Sequence, residues 1–162
     1  MTGVLMVCTG NICRSPAAEA VLRRALVEAG LDRTVNVDSA GTTEWHRGEA
    51  AHEFSRSVGA RRGYAVTHRS RPFVEDDFDR SALLLVMDGS HERWLRDFAT
   101  HPEHRTKRDL SEGTIRYLRS FDPQCSSTTP LDDPWGNPVS AYERMYDEIE
   151  AAIPGLVTFL MP

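Results

Sequence analysis

Cys8-Thr9-Gly10-Asn11-Ile12-Cys13-Arg14-Ser15 follows the apolar run Val4-Leu5-Met6-Val7 and precedes Pro16-Ala17-Ala18-Glu19-Ala20-Val21-Leu22. The first run reads as a buried strand. The last opens a helix, with Pro16 in the first turn, where its missing N–H costs no hydrogen bond. The residues between them form a loop that leaves a strand end and closes onto a helix N-terminus. Unpaired backbone N–H groups and the positive end of the helix dipole converge on such a loop, so it is an anion site. Gly10 permits the backbone angles of a tight cradle. Arg14 adds a planar fork that holds two oxygens of one phosphate. The same positive field favours a thiolate, which makes Cys8 a candidate nucleophile within reach of an oxyanion clamp.

The 162 residues suit one domain, residues 1–162, around a single core. No apolar stretch approaches the length of a membrane span, and no signal peptide precedes the first strand. Three cysteines are too few for a disulfide framework, which points to the reducing cytoplasm. A net charge of −5 argues against a general nucleic-acid binder and leaves attraction for a phosphorylated substrate to the loop itself.

Beyond the loop, residues 17–29 carry apolar side chains at helical spacing up to a stop at Gly30. Thr34 to Asp38 alternates as a second strand, with a turn expected at Ser39-Ala40-Gly41. Strand, helix and strand in this order make a βαβ unit with parallel strands. Helices are expected over residues 49–59, from Asp88 or Ser90 to Phe98, and from Ser140 to Leu160 with an interruption at Pro154-Gly155. A short acidic helical turn is expected over residues 74–79. Ala82-Leu83-Leu84-Leu85-Val86 reads as a central strand and residues 114–118 as a fourth. The alternation implies a three-layer α/β domain with a four-stranded parallel sheet flanked by helices. Ligands of such sheets bind beyond the C-terminal ends of the strands, where Cys8 lies.

The string Val7-Cys8-Thr9-Gly10-Asn11-Ile12-Cys13-Arg14-Ser15-Pro16, in this strand–loop–helix setting, resembles the low-molecular-weight protein tyrosine phosphatases. The resemblance implies sheet order 2-1-3-4. It also implies hydrolysis of phosphotyrosine in proteins through a phosphocysteine, without metal or other cofactor, by a monomer that engages neither nucleic acid nor membrane. Thr9, Gly10, Asn11, Ile12 and Cys13 then offer N–H groups to the phosphate. Ser15 is placed to donate its hydroxyl to the Cys8 sulfur, and Asn11 to hold the loop's shape. The family pattern adds Ser39 and His68 as partners of Asn11.

Such a reaction needs an acid for the leaving oxygen and then a base for water, roles that one carboxyl group can fill in turn. In the family the acid is the aspartate directly before a proline in a late loop. That position is Asp133 in Leu131-Asp132-Asp133-Pro134-Trp135-Gly136, with Asp132 as its rival and a simple Asp-Pro turn as the bland alternative. Many members carry two aromatic residues after the proline, often tyrosines open to phosphorylation. Here Trp135 precedes Gly136, so that regulation is not expected, although Trp135 can still wall the cleft. Trp45 matches the family's variable loop at the cleft entrance; the alternative is a tryptophan tucked into the core edge.

Several features stay open. Cys13 is either a disulfide partner that shields Cys8 or a small buried side chain. Cys125 has no evident partner. His91, His101 and His104, with the basic residues Arg105, Lys107 and Arg108, read as a solvated surface rather than a metal site. Asp88 reads as a strand-end cap or a neighbour of the site. Phosphoarginine hydrolysis on the same fold is the alternative activity. Ile12, where that branch tends to carry threonine, favours phosphotyrosine. Arsenate reduction is disfavoured because Cys125 is the one cysteine outside the loop. A silent phosphate-binding module is disfavoured because cysteine, arginine and acid are all present.

Overall fold

The computed structural model describes residues 1–104 and 110–162. Its elements in chain order are β1 (Thr2–Cys8), α1 (Arg14–Glu28), β2 (Val35–Gly41), α2 (Glu53–Arg61), α3 (Asp77–Arg80), β3 (Leu83–Val86), α4 (Gly89–Ala99), β4 (Ile115–Tyr117), a 3-10 turn (Leu118–Phe121) and α5 (Val139–Leu160). The strands form one four-stranded sheet, all parallel, in the order β2-β1-β3-β4. This is the order that the resemblance implies.

β1 lies centrally and is buried from Gly3 to Cys8, which is why its sequence is a continuous apolar run rather than an alternating one. The pleat still sorts its side chains. Val4, Met6 and Cys8 join a core with α1, α2 and α5, whereas Leu5 and Val7 join a second core with Leu95 of α4 and Phe73. Two helical layers thus cover the sheet, and the C-terminal ends of β1 and β3 open between them. Among the described residues no helix is long and apolar enough to cross a membrane.

The structure departs from the sequence expectations in four places. Ser39, Ala40 and Gly41 continue β2 instead of turning, because they pair with Met6, Val7 and Cys8. A Cβ on Gly41 would come within 2.8 Å of the Thr9 carbonyl oxygen, so the strand can run beside the loop only as glycine. α1 begins at Arg14, two residues before the expected start at Pro16. α2 begins only at Glu53, capped by the His52 ring, which accepts from the Phe54 N–H; Ala50 instead forms a β-bridge to Arg69. α5 runs unbroken through Pro154. Proline removes one intrahelical bond, but Ile149, Ala152, Ile153 and Leu156 are buried on either side of it. Gly155 then lets the helix meet the 3-10 turn, since a Cβ there would strike the Phe121 carbonyl oxygen.

The acidic turn expected over residues 74–79 appears as α3, and the fourth strand stops at Tyr117, where the 3-10 turn begins. His101 is exposed and His104 packs its ring 4.0 Å from that of Phe98. Arg105, Lys107 and Arg108 lie outside the described residues.

Candidate active site

Cys8 ends β1 and Arg14 begins α1, so the loop between them spans one strand terminus and one helix terminus. Among the described residues, neither a side-chain cap nor an acidic residue in the first turn answers the amides at the start of α1. They are left for an anion.

The loop's bend is held at Asn11. It is the one non-glycine among the described residues with positive φ, at 55°. Its buried amide donates to Ser15 Oγ (2.8 Å) and Ser39 Oγ (3.0 Å). Its Oδ1 accepts from the Arg71 N–H (2.9 Å) and from His68 Nε2 (2.9 Å). Left-handed backbone costs a non-glycine residue free energy, which these four bonds offset. Ser15 Oγ, having accepted from Asn11, has its own proton free for Cys8 Sγ at 2.9 Å.

The support continues outward. Ser39 donates to Glu19 Oε2 (2.6 Å), and His68 Nδ1 lies 3.1 Å from the same oxygen. Glu19 is 2% exposed, yet Arg23 pairs with its other oxygen at 2.6 Å, so its charge is not buried alone. Glu19, Asp38 and His68 bring ligand-type atoms within 4.8 Å of one another. Arg23 and Arg71 already engage the two carboxylates, which makes the trio a brace for the loop rather than a ready cation site.

Arg14 is 3% exposed. Its Nη1 donates to Asp88 Oδ2 (2.8 Å) and to the Leu131 carbonyl (3.0 Å), while Nη2 lies 3.7 Å from Asp133 Oδ2. Asp88 is also the N-cap of α4, accepting from the Ser90 N–H at 2.8 Å. Both readings of Asp88 therefore hold at once. Burial alone would raise its carboxyl; bonds from Ser90 and Arg14 outweigh that and hold it at about 2.

His91 is not on the surface. It is 1% exposed and its Nε2 lies 2.9 Å from Thr9 Oγ. Burial, aided by the nearby Arg14 charge, lowers its pKa to about 4, so it is neutral at pH 7. The signal available in the sequence was local: Asp88-Gly89-Ser90-His91 directly after a buried strand reads as a helix cap whose fourth residue turns back on the strand end.

Cys13 is buried with a free thiol, its Sγ 3.5 Å from the Tyr142 hydroxyl. Burial pushes that thiol up to about 12. Cys125 is half-buried, with its thiol 3.5 Å from Asp122 Oδ2.

Above this floor opens a cavity of about 190 Å³ that Cys8, Ile12, Arg14, Trp45, Asp133 and Trp135 help to line. Trp45 is 74% exposed and Trp135 62%, so neither is tucked into the core. His46, which the sequence reading passed over, also lines it and is paired with Glu49 at 2.7 Å. Asp133 is half-exposed and its Oδ1 accepts from the Trp135 N–H at 3.1 Å. Asp132 is not among the residues that line this cavity; it borders a hollow against α5, which Asp133 also borders.

A family model for low molecular weight phosphotyrosine protein phosphatase matches residues 3–161. The chain belongs to that family. It is accordingly a protein-tyrosine phosphatase, a cysteine-dependent hydrolase of phosphoric monoesters. A low molecular weight protein-tyrosine-phosphatase of Streptomyces coelicolor is 41% identical over 155 residues, covering 95% of this chain and 90% of that one. A protein tyrosine phosphatase of Entamoeba histolytica, solved with Hepes in its active site, superposes with a TM-score of 0.86 at 33% identity, over 99% of this chain and 97% of that one. An arginine phosphatase of Geobacillus stearothermophilus has the same fold, with a TM-score of 0.79 at 28% identity over 99% and 93% of the two chains.

Proposed function

We propose that residues 1–162 act as one phosphatase domain that hydrolyses phosphotyrosine in proteins, with Cys8 as nucleophile, Arg14 as phosphate clamp and Asp133 as acid and then base. The observation that carries this assignment is the shared cavity: the Cys8 sulfur, the Arg14 guanidinium and the Asp133 carboxyl face one space flanked by two exposed tryptophans.

In the first step the Cys8 thiolate attacks phosphorus. The S–P bond forms as the bond from phosphorus to the tyrosine oxygen breaks, and Asp133 gives its proton to that oxygen. Arg14 and the amides of Thr9 to Cys13 hold the non-bridging oxygens. In the second step Asp133 takes a proton from water, the oxygen attacks phosphorus, and sulfur leaves as thiolate. The Ser15 hydroxyl, 2.9 Å from Cys8 Sγ, stabilises that thiolate at both ends of the cycle. Asp88 supports the clamp by holding Nη1 of Arg14, which leaves Nη2 to the substrate side. No step uses a metal. The substrate is a phosphotyrosine-containing protein and the chain works as a monomer; three free cysteines are in keeping with the reducing cytoplasm.

A second reading, phosphoarginine hydrolysis, is favoured by the likeness to the Geobacillus arginine phosphatase. Ile12 and the tryptophan-lined entrance favour the flat aromatic substrate. The test is phosphate release from a phosphotyrosine peptide and a phosphoarginine peptide in EDTA. Fast turnover of the first, abolished in Cys8→Ser, is expected. Preference for phosphoarginine would keep Cys8 and Arg14 in place but overturn the substrate; full activity of Cys8→Ser would overturn the mechanism.

A further inference from the structure

We propose that the Thr9 hydroxyl is itself a donor to the phosphoryl group and that His91, a positioning residue, aims it there. The inference rests on the reading of the loop as the phosphate site. Its basis is the partner of each ring nitrogen of His91. Nδ1 faces the backbone N–H of Asp88 at 3.2 Å and therefore accepts. The Asp88 carboxylate does not claim a proton on Nδ1, because Oδ1 is 3.6 Å away and already accepts from Ser90, while Oδ2 accepts from Arg14. The neutral ring thus carries its proton on Nε2 and donates to Thr9 Oγ at 2.9 Å.

A hydroxyl has one proton. With its oxygen already receiving one from His91, Thr9 directs its own elsewhere. The Thr9 backbone is fixed, since its carbonyl accepts from both the N–H (3.1 Å) and the hydroxyl (3.0 Å) of Thr43. Thr9 lines the same cavity as Cys8 and Arg14, so the proton is available to an anion bound there. The reverse tautomer would draw the Thr9 proton onto the ring and turn oxygen lone pairs toward the phosphate. The choice of tautomer, made by the α4 cap, therefore decides whether Thr9 attracts or repels the substrate. The charged groups facing the ring are Arg14, Asp88 and Asp133. The same cap holds Arg14 through Asp88, so one helix end positions two donors.

The test measures inhibition by inorganic phosphate together with kcat and KM on a phosphotyrosine peptide. Thr9→Val is expected to weaken phosphate inhibition and lower kcat/KM about ten-fold, mostly through KM, the scale of one hydrogen bond to a charged group. Thr9→Ser, which keeps the hydroxyl, retains both. His91→Asn keeps an acceptor for the Asp88 N–H but falls short of Thr9, and reproduces the Thr9→Val loss. His91→Gln, whose amide reaches further, recovers part of it. In the double variant the two losses do not add. Wild-type phosphate inhibition in Thr9→Val overturns the proposal, as does an undiminished His91→Asn effect in the Thr9→Val background. If His91→Asn fails to fold, the Thr9→Val and Thr9→Ser pair still decides. Loss of the phosphocysteine reading shows up separately, as turnover surviving in Cys8→Ser.

Discussion

The floor and the rim of the cleft are built on opposite principles. On the floor, Cys8, Asn11, Arg14 and Ser15 are each at most 3% exposed and hydrogen-bonded to one another or to a buried partner. At the rim, Trp45, Asp133 and Trp135 are each more than half exposed. The floor is preorganised for a tetrahedral oxyanion, whatever carries it, and pays for one left-handed residue to achieve this. In the proposed mechanism the rim supplies what differs between substrates: the flat surfaces and the proton for the leaving group. Floor variants should therefore damage every substrate and inorganic phosphate alike, whereas rim variants should discriminate between them.

The sharpest break in that division is Asp133, a rim residue to which the proposed mechanism gives the proton transfers. Asp133→Ala should lower kcat on a phosphotyrosine peptide by roughly two to four orders of magnitude, the usual scale of general acid catalysis. An aryl phosphate with a far more acidic leaving group needs little proton donation in the first step and should lose much less from that step. Asp132, which faces the hollow against α5, should tolerate alanine with near-normal turnover. A single-turnover experiment on both variants separates the two carboxylates. If Asp132→Ala is the crippled one, the acid has been misassigned.

The contrast between floor and rim also accounts for what could be read from the chain. β1, the loop and the start of α1 are contiguous, and their chemistry is local: an apolar run, a glycine, an arginine and a helix start. The supports of the floor are not local. Ser39 and His68 lie 28 and 57 residues from Asn11, and only the resemblance pointed to them. The structure places both on the Asn11 amide. Glu19 and Arg71 raised no signal, because an acid in a helix and an arginine in a loop are most often solvated. His91 was grouped with His101 and His104 by proximity in sequence, but its place in the cap turns it inward. The small residues Ser39-Ala40-Gly41 read as a turn by composition. They belong to a strand because they pair with Met6, Val7 and Cys8 of β1, and at Gly41 a Cβ would strike the Thr9 carbonyl. At Pro154 the local rule gave way to the burial of α5 on both sides of it.

A second prediction tests the floor's electrostatics. His91 titrates near 4 in the fold against an ordinary 6.5, and Asp88 near 2 against 3.8. As pH falls from 6.5 to 4 the unfolded chain takes up the His91 proton first, so stability drops across that window by on the order of 3 kcal/mol. Asp88 has the same sign. Its contribution is present above 3.8, is lost as pH falls toward 2, and amounts to about 2 kcal/mol. Urea unfolding followed against pH should show the first slope in the wild type and a shallower one in His91→Asn. An unchanged slope in that variant would assign the acid sensitivity to other groups.

The smallest effect expected belongs to the rim's tryptophans, and it is the one that defines the rim. Trp45 is 74% exposed, so its removal leaves no core cavity and should shift stability by less than about 0.5 kcal/mol. Among the described residues no ring packs on its indole, and an aromatic substrate in the cavity would, a contact worth about 0.5–1.5 kcal/mol beyond area burial. Trp45→Ala should therefore raise KM for a phosphotyrosine peptide several-fold while leaving kcat and inhibition by inorganic phosphate near wild type. Phosphate touches only the floor, so the two readouts report the two regions independently. Should phosphate inhibition weaken in step with KM, Trp45 would be acting on the loop beneath it, through the adjacent His46 that a Cβ on Gly10 would meet at 3.0 Å. The rim would then shape the floor as well as the entrance.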